Sequence, residues 1–280
     1  MQKIEAVNEM RAAADEWRRQ GRRVALVPTM GALHAGHLSL LKLARERADV
    51  VVASVFVNPL QFGASEDFAR YPREVLNDRA MCEQAGVEVM FAPAAPEMFP
   101  RGYATHVVEE AVSKPLEGQS RTALFRGVLT VTLKLLHIVR PEVLVLGEKD
   151  VQQVAVVRKA LADLSVPVEV VTGPTVRDAD GLACSARNRL LTPLQRADAL
   201  VIWQALCRVR EMAGQGVRSA DRLVAEATHI MAQKRRIRVI YISIVDRTTF
   251  EPMREIVPGQ SVLAVAVWVD EMRLTDNLPL

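Results

Sequence analysis

The alternation of short apolar runs with helical segments is the feature that most constrains how this chain folds. The apolar runs show little polar alternation, which is typical of parallel strands that are buried on both faces. Segments with helical periodicity separate these runs. The pattern predicts an α/β domain with strands at residues 23–28, 50–57, 87–92, 143–146 and 168–172, and helices at residues 8–20, 37–47, 66–84, 125–139 and 151–164. Pro72 requires a bend or a restart in the helix at residues 66–84.

The pattern changes after about residue 175, where two helical segments precede two apolar runs. Here we predict helices at residues 193–214 and 219–233 and strands at residues 237–245 and 261–269, in a smaller α+β domain. The Gly173-Pro174 step marks the junction. The predicted domains therefore span residues 1–175 and 176–280, sizes that are ordinary for folding units.

Charge and cysteine content narrow the class of protein. The chain has 36 Lys and Arg against 33 Asp and Glu, a net charge of +3 that suits small anionic ligands but gives no basic stripe for nucleic acid. Three widely spaced cysteines form no disulfide framework or metal motif, which fits a reducing compartment. Neither a signal peptide nor a run of about 20 apolar residues is present. We therefore expect a cytoplasmic protein with no nucleic-acid or membrane partner.

The strongest local motif is the segment Pro-Thr-Met-Gly-Ala-Leu-His-Ala-Gly-His at residues 28–37. A predicted strand ends there in a glycine-containing loop, and a helix begins near Gly36. The N-terminus of a helix offers free N–H groups to phosphate, and His34 and His37 can donate hydrogen bonds to charge that develops during phosphate chemistry. The alternative is a pair of ordinary histidines at a corner, but the strand–loop–helix setting favours a phosphate site. No Walker A sequence is present.

A second strand-to-helix turn carries Gly-Glu-Lys-Asp at residues 147–150. Asp150 can cap the following helix, and Lys149 can reach phosphate as a point charge. One of the next two glutamines, Gln152 or Gln153, is placed to contact a substrate hydroxyl. A capped helix with a solvated lysine explains the same residues equally well.

Two further segments carry polar groups that suit ligand binding. Ser185 and Arg187 lie in a loop that suits phosphate, although an ordinary helix-initiating turn fits as well. Asn58 and Gln61 follow the strand at residues 50–57, at the sheet edge where the histidines are expected, and suit a hydroxyl or carboxylate group. By contrast, His137 lies in an apolar helical stretch and is interpreted as structural.

In combination these segments resemble the pantothenate synthetase family, within the larger group of HxGH nucleotidyl-transferring proteins. The resemblance extends from about residue 24 to residue 277 and is carried by residues 28–37, 56–62, 69–73, 125–128, 147–150 and 152–153. It implies a Rossmann-like, parallel-sheet nucleotide-binding domain with the HxGH motif and a smaller α+β C-terminal domain that closes over ATP. It also implies a cytoplasmic homodimer.

The family reaction is an ATP-dependent ligation of pantoate to β-alanine through a pantoyl adenylate, with release of pyrophosphate and AMP. The resemblance implies catalytic roles for His37, with His34 and Lys149 beside it. It assigns pantoate to Gln61 and Gln153, to which we add Asn58, and it assigns β-alanine to Gln61. Mg²⁺ accompanies ATP in the family, and Asp78 occupies an acidic position that would serve it. The residues implied for ATP are Met30, Gly31, Ala32, Leu33, His34, Ala35, Gly36, His37, Gly147, Glu148, Lys149, Asp150, Val176, Cys184, Ser185, Ala186 and Arg187.

Two departures from the family pattern leave room for other functions. Ala186 replaces a serine, which removes one hydroxyl from the phosphate loop, and Leu124 replaces a histidine before the Phe125-Arg126-Gly127 segment. One alternative is an HxGH nucleotidyltransferase acting on a phosphate acceptor, although the neutral Asn58 and Gln61 favour a polyol acid. The other is a nucleotide-binding homologue that has lost activity.

Overall fold

The computed structural model describes residues 1–63 and 68–280, which form two compact units. One unit comprises Met1–Glu148 and Val156–Pro174, and the other comprises Lys149–Ala155 and Thr175–Leu280. We call them the parallel unit and the antiparallel unit after their sheets. Residues 66 and 67, which belong to the predicted helix at residues 66–84, lie outside the described ranges.

The parallel unit is built on a six-stranded sheet in which all neighbouring strands are parallel. Its strands are β1 (Gln2–Ile4), β2 (Val24–Thr29), β3 (Val50–Val55), β4 (Val89–Phe91), β5 (Val143–Gly147) and β6 (Glu169–Gly173), in the order β1-β4-β3-β2-β5-β6. The predicted parallel-sheet, Rossmann-like α/β fold is confirmed. The three-residue strand β1 was not predicted, because it is too short to show a pattern.

Helices connect these strands, and the longer ones lie close to their predicted positions, whereas the two four-residue helices at residues 95–98 and 117–120 were not predicted. They are α1 (Val7–Arg19), α2 (Ala35–Arg45), α3 (Val75–Gln84), α4 (Ala95–Met98), α5 (Glu117–Ser120), α6 (Leu124–Val139) and α7 (Val151–Asp163). The prediction of one helix over residues 66–84 was wrong over residues 68–74. There Phe68–Arg70 forms a 3-10 turn instead, because Pro72 cannot continue a helix and restricts the residue before it.

The central strands β2, β3 and β5 of the parallel unit are buried on both of their faces. Successive side chains of a strand point to opposite sides, and Val24, Ala25, Leu26 and Val27 of β2 are all buried. Helix α2 packs on the side of Ala25 and Val27 as part of one continuous apolar cluster. Burying each such side chain contributes about 1.5–3 kcal/mol, which is why the strand runs lack polar alternation.

The strand order places a topological switch point between β2 and β5. The chain runs outward through β2, β3 and β4 and then returns to the other side of β2 to form β5. In open α/β sheets, ligands bind beyond the carboxyl ends of the strands at such a point. The histidine loop follows Thr29 at the end of β2, and Glu148 follows Gly147 at the end of β5. The fold therefore sets both segments at the position that favours a ligand.

The antiparallel unit combines two helices with a three-stranded sheet. Its elements are α8 (Pro193–Gly214), α9 (Ala220–Ala232), β7 (Ile237–Asp246), β8 (Ser261–Val269) and β9 (Met272–Pro279), with strand order β7-β8-β9. Helix α8 starts with a capping box between Thr192 and Gln195. The predicted α+β composition is confirmed, but β9 was missed. No helix in the described parts of the chain combines the length and apolar character needed to cross a bilayer.

Candidate functional site

The loop after β2 adopts a conformation that most residues avoid. Gly31 has φ of +79° and Ala32 has φ of +48°, so two consecutive residues lie in the left-handed region. A Cβ atom at Gly31 would lie 2.9 Å from Oδ2 of Asp78 and 3.2 Å from Cγ1 of Val55. Glycine is therefore required at this position by backbone conformation and by space alike.

Asp78 of α3 binds the backbone of this loop. Its side chain is buried, and its two carboxylate oxygens accept hydrogen bonds from the backbone N–H groups of Ala32 at 3.0 Å and Leu33 at 2.7 Å. Ala32 and Leu33 are themselves fully buried. The N–H groups of Ala32 and Leu33 therefore bind Asp78. The sequence predicted that both residues contact ATP, but these two N–H groups are not the donors that would do so.

Within residues 1–63 and 68–280, no group of three or more His, Cys, Asp and Glu side chains is arranged to hold a metal ion. Cys82 lies one helical turn beyond Asp78. Burial raises the pKa of the Cys82 thiol to about 12, and the charges of Asp78 and Glu83 contribute to the increase. The thiol therefore stays protonated and does not serve as a ligand or a nucleophile at neutral pH.

The rings of His34 and His37 lie against each other at the start of α2, with their planes tilted by 33°. Their ring centroids lie 4.0 Å apart, and the backbone N–H of His34 donates a hydrogen bond to Nδ1 of His37 at 3.3 Å. A ring nitrogen that accepts a hydrogen bond carries no proton, so neutral His37 is protonated at Nε2. His37 thus has a donor on the ring nitrogen farther from its backbone.

The first turn of α2 supplies further donors next to the histidines. The intrahelical ladder begins with the N–H of Leu38, which bonds the carbonyl of His34. The N–H groups of Ala35 and Gly36 precede it and have no intrahelical acceptor. Together with the positive end of the helix macrodipole, they make this turn suited to an anion.

Asn58 fixes the orientation of Gln61 rather than projecting from the sheet edge as the sequence suggested. Asn58 is buried, and its Oδ1 accepts from Leu60 N at 3.1 Å while its Nδ2 donates to the Gly127 carbonyl at 3.0 Å. Nδ2 also donates to Oε1 of Gln61 at 2.9 Å. Two backbone groups thereby fix the orientation of the Asn58 amide. Asn58 in turn fixes the orientation of the Gln61 amide by binding its Oε1. Nε2 of Gln61 is left as a donor for a carboxylate or hydroxyl oxygen.

Gly127 brings helix α6 into backbone contact with the turn that carries Gln61. A Cβ atom at Gly127 would lie 2.3 Å from the Leu60 carbonyl oxygen and 2.8 Å from Gln61 N. Arg121 adds a hydrogen bond from its guanidinium to the Gln61 carbonyl at 3.1 Å. The Phe-Arg-Gly segment at residues 125–127, noted in the sequence, therefore shapes the Gln61 turn through its glycine. Leu124, where the family pattern has histidine, is buried at the start of α6.

In the antiparallel unit, strand β9 holds Lys149 at two points. Nζ of Lys149 donates to Oγ1 of Thr275 at 3.3 Å and lies 3.4 Å from Oδ1 of Asp150. Nδ2 of Asn277 donates to the Lys149 carbonyl at 2.8 Å. Lys149 itself lies in the 3-10 turn Glu148–Asp150, and its hydrogen bonds attach it to a strand that the sequence pattern did not reveal. The signal available was the Thr-Asp-Asn run at residues 275–277, which was recognised only as part of the resemblance.

Asp276 of the same strand anchors the segment that contains Val176. The Arg177 guanidinium makes two hydrogen bonds to Asp276, at 2.6 and 3.0 Å, and lies 3.6 Å from the centroid of the Trp203 ring. The Val176 carbonyl accepts from Cys184 N at 2.9 Å. Val176 and Cys184, both predicted to contact ATP, are therefore neighbours in the structure.

Cys184 is buried and its thiol donates to Oδ1 of Asp178 at 3.2 Å. Burial raises the pKa of Asp178, but hydrogen bonds from Arg196 and Cys184, together with the charge of Arg196, outweigh it and hold the pKa below its ordinary value. The carboxylate therefore stays ionised at neutral pH. Cys184 thus stabilises its own loop through Asp178.

The predicted phosphate loop at residues 184–187 opens a 3-10 turn, Ala186–Leu190. Oγ of Ser185 accepts a hydrogen bond from Arg187 N at 3.3 Å, which leaves its O–H available as a donor. Ala186 is buried, so the residue that replaces the family serine contributes packing and no hydroxyl. Of the two glutamines that begin α7, Gln152 is buried and Gln153 is half-buried.

Known proteins resemble the chain along its whole length. A model of the family described as Pantoate-beta-alanine ligase matches residues 2–279. A pantothenate synthetase of Heliobacterium modesticaldum is 49% identical over 278 residues, covering 99% of each chain. The pantothenate synthetase of Thermus thermophilus has a crystal structure with a TM-score of 0.94, at 44% identity and with 100% and 99% of the two chains covered. The structure of a pantoate-beta-alanine ligase from Francisella tularensis, complexed with beta-gamma ATP and beta-alanine, gives a TM-score of 0.83 at 30% identity, covering 100% of this chain and 97% of that chain.

Proposed function

The chain belongs to the pantoate-beta-alanine ligase family, and from this premise we propose that it joins pantoate to β-alanine in an ATP-dependent, AMP-forming reaction. The observation that carries the proposal is the His34–His37 pair at the N-terminus of α2, at the switch point of the parallel sheet. The two other readings of the sequence, a transferase for a phosphate acceptor and an inactive binding protein, find no support among these relatives.

In the first step, a carboxylate oxygen of pantoate attacks the α-phosphorus of ATP and pyrophosphate leaves with the bonding electron pair. Negative charge increases on the α-phosphate and on the departing pyrophosphate. His37 donates a hydrogen bond from Nε2 to this charge, and the N–H groups of Ala35 and Gly36 add the helix terminus. Met30, Gly31 and His34 complete the nucleotide contacts of this loop. Ala32 and Leu33 are buried and hold the loop in its conformation through their hydrogen bonds to Asp78.

In the second step, the β-alanine amine attacks the acyl carbon of pantoyl adenylate, loses a proton and expels AMP. Gln61 serves both steps in this proposal, because its Nε2 can donate to a pantoate oxygen or to the β-alanine carboxylate. Gln153 holds pantoate as well. Asn58 acts through Gln61, whose amide it orients.

The remaining nucleotide contacts come from residues 147–150, Val176 and residues 184–187. Lys149 supplies a positive charge to the phosphates, and Thr275 and Asn277 hold the lysine in place. Arg187 supplies a second charge through a guanidinium that matches phosphate oxygens. Ser185 adds the one hydroxyl that this loop retains.

Mg²⁺ belongs to the proposal as a companion of ATP, but the described side chains do not fit a metal site of their own. Both oxygens of Asp78 accept backbone N–H groups, and the described residues contain no cluster of three or more ligating side chains. We therefore assign the ion to the ATP phosphates and water, an environment that Mg²⁺ accepts readily. No residue of this chain is assigned to it.

Homodimerisation and a cytoplasmic location are part of the same proposal and rest on the family resemblance. Size-exclusion chromatography with light scattering checks the first. A monomer at working concentrations would contradict it.

The direct test is to supply purified protein with ATP, Mg²⁺, pantoate and β-alanine and to follow AMP. We expect AMP only when all components are present. We also expect pantoate-dependent exchange of labelled pyrophosphate into ATP without β-alanine, because the first step is reversible. ATP binding without AMP formation or exchange would reject the ligase in favour of a binding protein.

A further inference from the structure

The carboxylate of Asp78 is buried with only 1% of the residue exposed, an environment that an ionised group enters at a cost unless hydrogen bonds compensate. The compensation comes from the phosphate loop itself. Oδ2 accepts from Ala32 N at 3.0 Å and Oδ1 accepts from Leu33 N at 2.7 Å. Hydrogen bonds to an ionised acceptor are stronger than neutral ones. One side chain of α3 therefore constrains two consecutive peptide groups of the loop.

These two peptide groups are the ones that need constraint. Ala32 has φ of +48°, a left-handed conformation that a residue with a Cβ atom adopts at a cost. Such a conformation persists when the surroundings over-determine it. Here two features hold the Ala32 backbone in place. Asp78 binds the N–H groups of Ala32 and Leu33, and the Leu33 side chain is fully buried. Gly31 completes the arrangement, because any Cβ atom there would lie 2.9 Å from Oδ2 of Asp78.

The constraint continues along the chain to the histidine pair. Leu33 directly precedes His34, so the plane of the peptide group that follows Leu33 sets the direction of the His34 N–H. That N–H donates to Nδ1 of His37 at 3.3 Å and keeps the ring proton on Nε2. A change in the Leu33 backbone would redirect this donor and release the tautomer.

We propose that Asp78 is a positioning residue of the active site, which fixes the backbone of Ala32 and Leu33 and thereby the orientation and tautomer of His37. The kinetic consequence rests on the proposed function, whereas the tautomer is a property of the protein by itself. Asp78 touches neither substrate in this account. Its effect reaches the reaction through His37, so it should change kcat for adenylation more than KM for ATP.

The main test replaces one atom of the carboxylate, in the variant Asp78→Asn. The asparagine amide keeps one oxygen that can accept from Ala32 or Leu33. Its NH₂ group then faces the other backbone N–H, so that hydrogen bond is lost. Gly31→Ala disturbs the same contact from the opposite side while leaving the carboxylate intact. Asp246→Asn is the control for the loss of a charged acceptor, because Asp246 also accepts two backbone N–H groups, from Thr248 at 2.8 Å and Thr249 at 2.9 Å, both at Oδ1, in a turn that contains no candidate site residue.

The first measurement is the tautomer of His37 in ¹⁵N-histidine-labelled protein, read from long-range ¹H–¹⁵N correlations without substrates. We expect the Nε2–H form in the unmodified protein and in Asp246→Asn, and a mixture of both tautomers in Asp78→Asn and Gly31→Ala. The second is pantoate-dependent pyrophosphate exchange. There we expect kcat to fall about 10- to 100-fold in both loop variants, the range for a misplaced catalytic group. KM for ATP should change less than threefold in Asp78→Asn, whereas it can also rise in Gly31→Ala, because Gly31 is itself assigned to the nucleotide.

Three outcomes would overturn the proposal. An unchanged His37 tautomer in both loop variants removes the link between Asp78 and His37. Recovery of Asp78→Asn at elevated Mg²⁺ identifies Asp78 as a metal ligand instead. An equal fall in kcat in Asp246→Asn would show that the effect of Asp78→Asn is general destabilisation. Absence of exchange in the unmodified protein would refute the proposed ligase activity, while the tautomer measurement would still decide the role of Asp78.

Discussion

The parallel unit and the antiparallel unit hold their candidate site residues in different ways. In the parallel unit, a buried carboxylate binds backbone N–H groups of the loop that carries the histidines. In the antiparallel unit, neutral side chains of β9 bind Lys149, one at its carbonyl and one at its ammonium group. The first arrangement fixes two consecutive peptide groups of the loop. The second holds one carbonyl of Lys149 and restrains its ammonium group by a single hydrogen bond to Thr275, so the side chain retains several rotatable bonds.

This difference matches the chemistry assigned to each group. A hydrogen bond to developing charge depends on the distance and direction of a single donor, so His37 gains from a rigid backbone. An ammonium group acts as a point charge whose attraction varies slowly with distance. Lys149 can therefore follow the phosphates while Thr275 and Asn277 keep it nearby. The comparison predicts steep losses from changes in the parallel unit and shallow losses from changes in the antiparallel unit.

The largest loss is expected from His37→Ala. Removal of the Nε2 donor should lower kcat for pantoate-dependent pyrophosphate exchange by roughly 10²–10³-fold, the range for loss of one preorganised donor. The free energy of unfolding should fall by about 1 kcal/mol at most, because His37 is half-buried and its removal costs one capping hydrogen bond, the one from His34 N–H.

His137→Ala is the control for His37→Ala. His137 bonds the Leu133 carbonyl of its own helix at 2.7 Å and lies outside the candidate site. Its replacement should leave exchange within twofold of the unmodified rate. Near-normal turnover in His37→Ala would remove the role assigned to that residue.

Gly127→Ala tests whether the parallel unit relies on backbone contact. The new Cβ atom would lie 2.3 Å from the Leu60 carbonyl oxygen, so the Gln61 turn must move. We expect the free energy of unfolding to fall by about 1–3 kcal/mol, as for other overpacked sites. KM for pantoate should rise about tenfold, equivalent to about 1.4 kcal/mol. Gly214→Ala is the control, since nothing lies within 4 Å of an added Cβ atom there.

Thr275→Val tests the weaker restraint on Lys149. Valine keeps the branched shape and removes the hydroxyl that accepts from Nζ at 3.3 Å. A lost hydrogen bond of about 0.5–1.5 kcal/mol corresponds to a two- to twelvefold rise in KM for ATP, measured from initial rates. The control is Thr228→Val, whose hydroxyl bonds the Val224 carbonyl within α9. A loss as large as that of His37→Ala would show that Lys149 is as tightly constrained as the histidine.

The smallest effect concerns acid sensitivity of the antiparallel unit. The pKa of Asp178 lies below its ordinary value of 3.8, so its ionisation stabilises the fold above that pH and the contribution disappears as pH falls through the folded pKa. Asp178→Asn should therefore lower the free energy of unfolding at pH 6, and the difference from the unmodified protein should shrink as pH falls below 3.8 and through the folded pKa. We expect less than about 1 kcal/mol, because the side chain is 35% exposed and screened by solvent. Urea unfolding across this pH range checks the sign.

The sequence was sufficient for elements whose signal is local. Apolar strands such as β2 and β3 and the strongly bounded helix α8 carry their own periodicity, caps and breakers. Strand β9 was not predicted, because its buried residues include Asp276 and Asn277, whose polar side chains interrupt the apolar pattern. Their burial is compensated by Arg177 and by the Lys149 carbonyl, partners that no local pattern can indicate.

The candidate site shows the same limit. The residue types at positions 30–37 and 147–150 were visible as motifs, since strand ends and helix starts are local features. The role of Asp78 was not visible, because it depends on contacts with residues 45 and 46 positions away. The contacts of Asn58 were not visible either, because its amide bonds Gly127, a residue 69 positions away, as well as Gln61. Its assignment to pantoate stays a prediction.

The attachment of Lys149 to β9 also has a consequence for the timing of synthesis. Lys149 is separated from Thr275 by 126 positions and from Asn277 by 128. At about 5–20 residues per second, a ribosome needs roughly 6–26 s to make that interval. The histidine loop meets Asp78 much earlier, so a nascent chain can complete its loop while the lysine still lacks its strand. Lys149 therefore acquires these two contacts only after β9 has emerged and paired.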